Sequence, residues 1–218
     1  MAEVYNRTNI DKDPKHYKIT FRKIVRHLGT ILVHKFWVFI FCCKAGIPLR
    51  GLTHDLSKFS FTEFFTNAKY VEKGISPIDV QKQILGYTPA WFHHRGRNSH
   101  HYEYWMDKFD NGGYTTRMPF IDTLECICDM LAANRVYNGK SDDEYEKLWN
   151  FWKRKRNGSS MHPDNVLVLN HVFTYIRIYK NLDWINKNEV KSIYDNEVKL
   201  NKRPVQMKIS EATVINRY

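Results

Sequence analysis

Histidine and carboxylate side chains are concentrated in the middle of this sequence. The stretch GLTHDLSKFS, residues 51–60, contains the adjacent pair His54 and Asp55. A single histidine, His34, precedes this pair, and two histidine pairs follow it, at residues 93–94 and 100–101. Imidazole and carboxylate groups bind zinc, manganese, iron, cobalt and nickel in proteins. The pattern therefore predicts a site for one or two divalent transition-metal ions.

The adjacent pair sets a geometric condition on such a site. Neighbouring residues on a regular α-helix point about 100° apart. His54 and Asp55 can therefore converge only where the backbone is entering a helix, or where the site holds more than one ion. A two-metal centre with a bridging aspartate meets this condition, and an ordinary turn that opens a helix is the alternative.

Helices must position these side chains, since no alternation of polar and apolar residues is long enough to predict a sheet. Residues 15–46 form an apolar-rich candidate helix. A second candidate begins at Thr53 or Asp55 and ends at Gly74, and a third opens at Pro77. Charged and apolar helical patterns follow in the second half of the chain. The predicted fold class is all-α.

A fourth predicted helix carries three acidic residues on one face. It follows Pro119 and has apolar residues at helical spacing. Asp122, Glu125 and Asp129 share a face, although Asp122 can instead cap the first turn. Helical side chains that face inward are a natural way to build a metal site. Four separate helices can thus each offer a ligand to one point.

Length and composition favour one domain. The chain has 218 residues, of which 43% are hydrophobic, and its formal net charge is +11. We expect a core over residues 15–183 with a polar, basic extension over 184–218. The positive charge favours phosphates, nucleic acid or acidic headgroups as partners. The cysteines lie in apolar runs, so we expect reduced, buried thiols. The N-terminal segment lacks the apolar core of a secretory signal, so we expect a cytoplasmic location.

One apolar segment, residues 30–49, is nearly long enough to cross a bilayer, but His34, Lys35 and Lys44 interrupt it. We favour a buried core helix over a membrane span, because the sequence has no second such segment. A single histidine on an apolar helix is ordinarily a core residue with one hydrogen bond. The further candidate ligands favour a metal-binding role for His34, and we expect no membrane contact.

The order of these residues resembles the HD superfamily of metal-dependent phosphohydrolases, in which a lone histidine, a His-Asp pair, later histidines and a helical aspartate bind metal. A closer resemblance is to an uncharacterised group of short bacterial and phage proteins, a domain of unknown function, with the motifs HDLSKF and AWFHHRGRNSHHYEYW; it covers residues 33–134. The resemblance implies a single HD-like helical bundle whose metal ligands are His34, His54, Asp55, His94, His101 and Asp129.

The remaining roles follow from position. His100 is predicted to orient a ligand or contact substrate, and His93 to be structural or exposed. Glu125 lies four residues before Asp129 and can hold a ligand imidazole. The catalytic candidates are Asp55 and, as a base, Glu63; its alternative is a packing or solvated role. The predicted phosphate-binding cations, with a solvated basic face as the alternative, are Lys58, Arg95 and Arg97.

Together these residues predict a metal-dependent hydrolase that uses a metal-activated water to cleave a phosphoester or phosphoanhydride bond in a small anionic, nucleotide-sized substrate. Two alternatives stay open. An HD-like di-iron oxygenase would use the same ligands on a small organic substrate. A non-catalytic protein would bind a nucleotide or nucleic acid. The basic stretch FWKRKRNG at 151–158 could contact a nucleic-acid backbone, but we favour its interpretation as the charged, solvated end of a helix.

Overall fold

The computed structural model describes residues 10–11, 13–107, 112–141 and 143–217. These residues form ten α-helices: α1 Phe21–Lys44, α2 Pro48–Thr53, α3 Phe61–Lys69, α4 Pro77–Leu85, α5 Pro89–Arg95, α6 Phe120–Asn138, α7 Glu144–Arg156, α8 Pro163–Tyr179, α9 Lys187–Asn201 and α10 Ile209–Ile215. Short 3-10 helices lie at Pro14–His16, Leu56–Phe59, Tyr102–Trp105 and Leu182–Ile185. The prediction of an all-α class is confirmed.

A small antiparallel sheet, which the sequence analysis did not predict, joins the middle of the chain to its end. Its strands are β1 Met106–Asp107, β2 Tyr114–Thr116 and β3 Gln206–Lys208, with β2 in the centre. Thr115 of β2 pairs with Met106 on one side and with Met207 on the other. The segment 184–218, predicted as a polar extension, packs on the body through this sheet and through Ile185 and Val190 in the main core.

Helix α6 forms the centre of the main core, and it is buried on most of its sides. Helices α1, α7, α8 and α9 contribute buried apolar side chains to the same cluster, with Trp152 and Phe173 among its largest fully buried residues. Such a helix must carry its polar groups inside the protein, where each one needs a partner. Helix α6 therefore places Glu125 in the interior and Asp129 at its edge.

Helix α1 has one buried face and one exposed face. The prediction of a buried core helix holds only for the first, which carries His27, Ile31, His34, Val38, Phe41 and Cys42. By length and composition α1 could cross a membrane, and 28% of its most apolar window is buried. Helix α2 packs closely on α1 at Gly51, which has no side chain. A Cβ atom at this position would lie only 2.7 Å from the Cβ atom of Cys42.

The four cysteines are free thiols, of which Cys42, Cys126 and Cys128 are buried and Cys43 is exposed. Burial raises the pKa of the Cys126 thiol far above its ordinary value, so this group stays protonated. The thiols in the core thus act as small apolar side chains.

Buried His27 lacks a hydrogen-bond partner on both ring nitrogens among the described residues, and its ring lies 5.2 Å from that of Phe64. Burial, followed by the charge of Lys58, lowers the pKa of His27 to about 4. The unfolded chain therefore binds a proton at this site more readily than the folded chain does. The stability that neutral His27 allows is present above pH 6.5 and is lost as the pH falls towards 4.

We therefore expect His27→Leu to reduce the acid sensitivity of the fold. Between pH 7 and pH 5 the free energy of unfolding should fall by about 2 kcal/mol more in the parent protein than in the variant. Urea titrations at the two pH values measure this difference. His171→Leu, at a half-exposed histidine outside the core, is the control and should behave like the parent. Equal losses in the parent and in His27→Leu would contradict the prediction.

Candidate metal centre

The adjacent residues His54 and Asp55 lie in a sharp turn between α2 and the following 3-10 helix. The predicted continuous helix from Thr53 or Asp55 to Gly74 is instead divided into this 3-10 helix, with Asp55 at its N-cap position, and α3. Asp55 has φ 53° and ψ 32°, the left-handed conformation that few residues other than glycine adopt. This turn brings both side chains to the same point, with His54 Nε2 3.1 Å from Asp55 Oδ2. Lys35 holds the turn by donating a hydrogen bond to the His54 carbonyl at 2.5 Å.

A first group of potential ligands combines α1, this turn and α6. Its members are His34, His54, Asp55 and Asp129, whose ligand atoms all lie within 4.8 Å of one another. His34 Nε2 is 3.0 Å from Asp129 Oδ1, and His54 Nε2 is 3.5 Å from the same oxygen. All four were predicted as ligands, and they come from parts of the chain as much as 95 residues apart, from His34 to Asp129.

A second group shares Asp55 and adds three histidines from α5 and the segment that follows it. Its members are Asp55, His94, His100 and His101, again within 4.8 Å of one another. The Nε2 atoms of His94 and His100 lie 3.3 and 3.4 Å from Asp55 Oδ1. His100, predicted to orient a ligand or contact substrate, thus stands among the potential ligands themselves. One Asp55 oxygen faces each group, which is the arrangement of a bridging carboxylate.

The atoms that face this space lack hydrogen bonds of normal geometry, although two of them have charged neighbours: His34 Nε2 lies 3.0 Å from Asp129 Oδ1, and Asp55 Oδ2 lies 2.6 Å from Lys58 Nζ. His34 Nε2, His54 Nε2, His100 Nε2 and both Asp55 oxygens are buried without a partner of normal hydrogen-bond geometry among the described residues. Buried polar atoms are nearly always satisfied, and leaving them unsatisfied costs free energy. Imidazole nitrogens and carboxylate oxygens that converge in this way fit divalent transition-metal ions. The buried histidine and aspartate groups can hold a metal ion.

Two buried glutamates orient the rings. The Nδ1 atom of His54 donates to Glu125 Oε1 at 2.9 Å, and that of His94 donates to Glu63 Oε2 at 2.8 Å. The Nδ1 atom of His100 also faces Glu125 Oε1, at 3.3 Å. A carboxylate at Nδ1 fixes the proton there and leaves Nε2 free as a ligand. Glu125 thus lies where the sequence analysis placed it, against ligand imidazoles.

Glu63 occupies a different position from that of a free base. It is buried, and its second oxygen lies 2.6 Å from Nδ1 of His93. Both oxygens are therefore engaged by imidazole rings, and the geometry gives no support to the catalytic role predicted from the sequence. His93, predicted to be structural or exposed, is partly buried and in contact with this carboxylate.

Neighbouring charges keep the carboxylates of the centre ionised. Burial alone would raise the pKa of Glu125, but hydrogen bonds from His100 and His54 outweigh it and lower this pKa to about 2. Burial alone would lower the pKa of the Lys58 ammonium group, but the negative charges of Asp55 and Asp129 outweigh it and raise this pKa to about 12. Lys58 Nζ lies 2.6 Å from Asp55 Oδ2, so a permanent positive charge stands beside the proposed bridge.

The three predicted phosphate-binding cations are dispersed. Lys58 touches Asp55, whereas Arg95 stacks on the ring of Phe92 and Arg97 is exposed, with its guanidinium 3.4 Å from the His93 carbonyl. Among the described contacts, neither arginine meets a candidate ligand. The interpretation of these two residues as a solvated basic face is the one that the geometry favours.

Arg50 is a member of the site that the sequence analysis missed. Its Nε donates to Glu125 Oε2 at 2.5 Å, and its second nitrogen pairs with Asp122. Ser99 donates a further hydrogen bond to Asp122. Asp122 therefore fixes Arg50 instead of capping α6. Arg50 stands four residues before His54 in an ordinary apolar context, so spacing gave no signal of this contact.

The family comparison covers most of the chain. Residues 23–175 match the model of a protein family of unknown function, DUF5662. No curated protein matches the chain. No solved structure matches it either. The matched segment contains every residue of the two ligand groups, and the chemistry of the centre must be argued from its geometry.

The two groups predict the metal content of the protein. Protein prepared without chelator and reconstituted with Mn²⁺ should bind about two ions per chain, one for each group. His34→Ala, which removes a ligand of the first group, should lower the content to about one ion. Asp55→Asn keeps a residue that tolerates left-handed backbone but removes the shared charge, so it should lower binding at both positions. Elemental analysis measures each value.

The control for this measurement is His171→Ala, which alters a half-exposed histidine and should leave the content unchanged. A metal content near zero in the reconstituted parent protein, or equal contents in the parent and in His34→Ala, would contradict the assignment.

The contacts of Glu125 predict its effect on affinity. Glu125→Gln should weaken metal binding roughly 10- to 100-fold, because it removes the carboxylate that orients His54 and His100. Competition with a chromophoric chelator measures the affinity. Glu144→Gln is the matched control, because Glu144 is also a buried carboxylate paired with an arginine, Arg135 at 2.9 Å. A similar loss in both variants would mean that Glu125 acts only on stability.

Proposed function

The chain belongs to the DUF5662 family, and we propose that it is a metal-dependent phosphohydrolase that cleaves a phosphoester or phosphoanhydride bond in a nucleotide-sized substrate. The observation that carries this proposal is the position of Asp55, whose two oxygens face two separate sets of imidazoles. This is the ligand order of the HD phosphohydrolases that the sequence resembles. Two divalent cations bound there would activate a water molecule and hold phosphate oxygens.

The charge balance of the centre supports an anionic substrate. Asp55, Glu63, Asp122, Glu125 and Asp129 carry five negative charges, and Lys58 and Arg50 carry two positive charges. Once bound metal ions keep the imidazoles neutral, a deficit of three positive charges remains. Two divalent cations would exceed this deficit by one charge. The loaded centre would then attract a phosphate group instead of repelling it.

Within this proposal Lys58 contacts the phosphate. Its side chain is 23% exposed while its ammonium group stays protonated beside Asp55. A fixed positive charge in this position would stabilise negative charge that develops on the phosphoryl group. Glu63 and Glu125 are positioning residues, because their oxygens hold His94 and His54. Asp129 is partly exposed, so the substrate would approach from the side of Asp129 and Lys58.

A neighbouring cavity offers room for the rest of such a substrate. It measures about 150 Å³ and lies between α1, the segment 71–77 and the end of α6. His27, whose ring nitrogens have no hydrogen-bond partner among the described residues, and Tyr137 both line it. Burial raises the pKa of Tyr137 and lowers that of His27, and the charge of Lys58 acts on both groups, so its ammonium group stands near both the cavity and the ligands. We propose that the non-phosphate part of the substrate enters this cavity.

The test is phosphate release by the reconstituted protein. Samples loaded separately with Mn²⁺, Fe²⁺, Zn²⁺, Co²⁺ or Ni²⁺ are incubated with a panel of nucleotides and phosphomonoesters. We expect release with at least one metal, and Asp55→Asn should abolish it. Lys58→Ala should keep its metal content and lower kcat roughly 100-fold or more, because it removes a charge that acts on the transition state. Lys44→Ala, an exposed lysine on α1, is the matched control and should retain full activity.

Other outcomes would replace the proposal. No phosphate from any loaded sample, combined with oxygen consumption by the iron form, would identify the di-iron oxygenase that shares this ligand set. Stable retention of a nucleotide without turnover would identify a binding protein.

A further inference from the structure

Helices α1, α2 and α3 carry many exposed apolar side chains. We define the apolar face as the exposed apolar side chains of residues 21–65, among them Phe21, Leu32, Phe36, Leu49, Leu52 and Phe61. Phe21 is 81% exposed, Leu49 76% and Phe61 83%. The members on α1 recur at helical spacing along its whole length, opposite the buried side of the helix. An exposed apolar patch of this extent marks an interaction surface.

The charges around the apolar face are mostly positive, although Lys23 of α1 lies 3.8 Å from the carboxylate of Glu72. Residues 14–71 contain ten lysines and arginines, of which three, Lys35, Arg50 and Lys58, contact the metal centre, and only two carboxylates, Asp55 and Glu63. Both carboxylates are 1% exposed, since they face the metal centre. This part of the chain therefore shows no carboxylate to solvent. Exposed cations such as Arg22, Arg26 and Lys44 border the apolar side chains.

We propose that the apolar face binds the surface of a bilayer that contains anionic phospholipids. Helices with an apolar face and a basic border lie in the plane of the headgroups, with their apolar side chains among the acyl chains. The basic border complements anionic headgroups. At the start of α1, Arg22 and Arg26 lie one helical turn apart beside Phe21 and Val25, so this end of the apolar face offers two guanidinium groups to phosphate headgroups. This proposal departs from the expectation of no membrane contact.

The structure favours contact with the bilayer surface over a transmembrane position of α1 and over contact with a second copy of the chain. Helix α1 does not cross the bilayer, because its other face buries His27, His34 and Val38 against the protein. Its 24 residues, about 36 Å, would lie along the surface instead. A second copy of the chain is disfavoured, because a twofold contact would bring two basic borders together.

The test is binding of the full chain to vesicles, measured by co-sedimentation and by fluorescence. Cys43 is the exposed cysteine and lies on the same stripe of α1 as Phe36 and Phe39, so a polarity-sensitive dye can be attached there selectively. Vesicles of phosphatidylcholine with phosphatidylglycerol should bind the protein and shift the dye emission to the blue. Vesicles of phosphatidylcholine alone should bind it at least tenfold more weakly.

Variants separate the apolar and the basic contributions. The double substitution Phe36→Ser and Phe61→Ser should weaken binding about tenfold or more. Leu200→Ser, at a leucine 76% exposed on α9, is its control and should not. Arg22→Gln should weaken binding about fivefold, whereas Lys199→Gln, an exposed lysine on α9, should have no effect.

Each result decides the proposal. An absence of vesicle binding by the parent protein, or equal binding by the double variant, would overturn it. Self-association of the parent in sedimentation experiments that the double substitution abolishes, without vesicle binding, would assign the face to a subunit contact instead. Circular dichroism confirms that the variants fold, and the parent protein with labelled Cys43 tests the proposal without any substitution on the apolar face.

Discussion

The buried carboxylate of Asp55 is the constraint on which the centre of the molecule depends. Removing such a charge from water costs several kcal/mol unless opposite charge and hydrogen bonds compensate it. Burial would raise the pKa of Asp55, but the charges of His54 and Lys58 hold this pKa well below its ordinary value, so the group stays ionised. Lys58 supplies one compensating charge on one oxygen. The imidazoles that surround both oxygens point nitrogen atoms at the remaining space, where metal ions could satisfy both sets of atoms.

Hydrogen bonds and ion pairs among the buried groups of the centre also connect the surrounding helices. Glu63 of α3 holds a ring of α5, and Glu125 of α6 holds His54, which follows α2. Arg50 of α2 pairs with both Glu125 and Asp122, so α2 and the residue after it contact α6 through three ion pairs or hydrogen bonds. Side chains fixed in this way are oriented before any ligand arrives, which reduces the cost of binding. Metal binding and the stability of this half of the fold should therefore be coupled, because ions that bind only the folded state stabilise it.

The sequence predicted residue types better than local backbone. Helices are signalled by periodic apolar positions, so the class and α6 could be predicted from the sequence, and the six predicted ligands meet in the structure. The turn at Asp55 could not be predicted, because no sequence pattern distinguishes an aspartate with a left-handed backbone. The segment 53–74 instead suggested one continuous helix. Arg50 was missed and Arg95 overvalued for one reason: proximity in sequence to a ligand does not determine which way a long cationic side chain points.

Helix α1 has a buried face that carries a potential metal ligand and an exposed face that is apolar, and its apolar sequence did not distinguish the two. Its apolar composition was explained by burial, but only one face of the helix is buried, and His34 lies on that face. The exposed remainder carries the apolar face, so one helix has a potential metal ligand on one side and a potential lipid contact on the other. Because Lys35 of the same helix also holds the carbonyl of His54, any displacement of α1 at a surface would move both His34 and the turn that carries Asp55. The geometry of the centre and the environment of the apolar face are thus mechanically linked through α1.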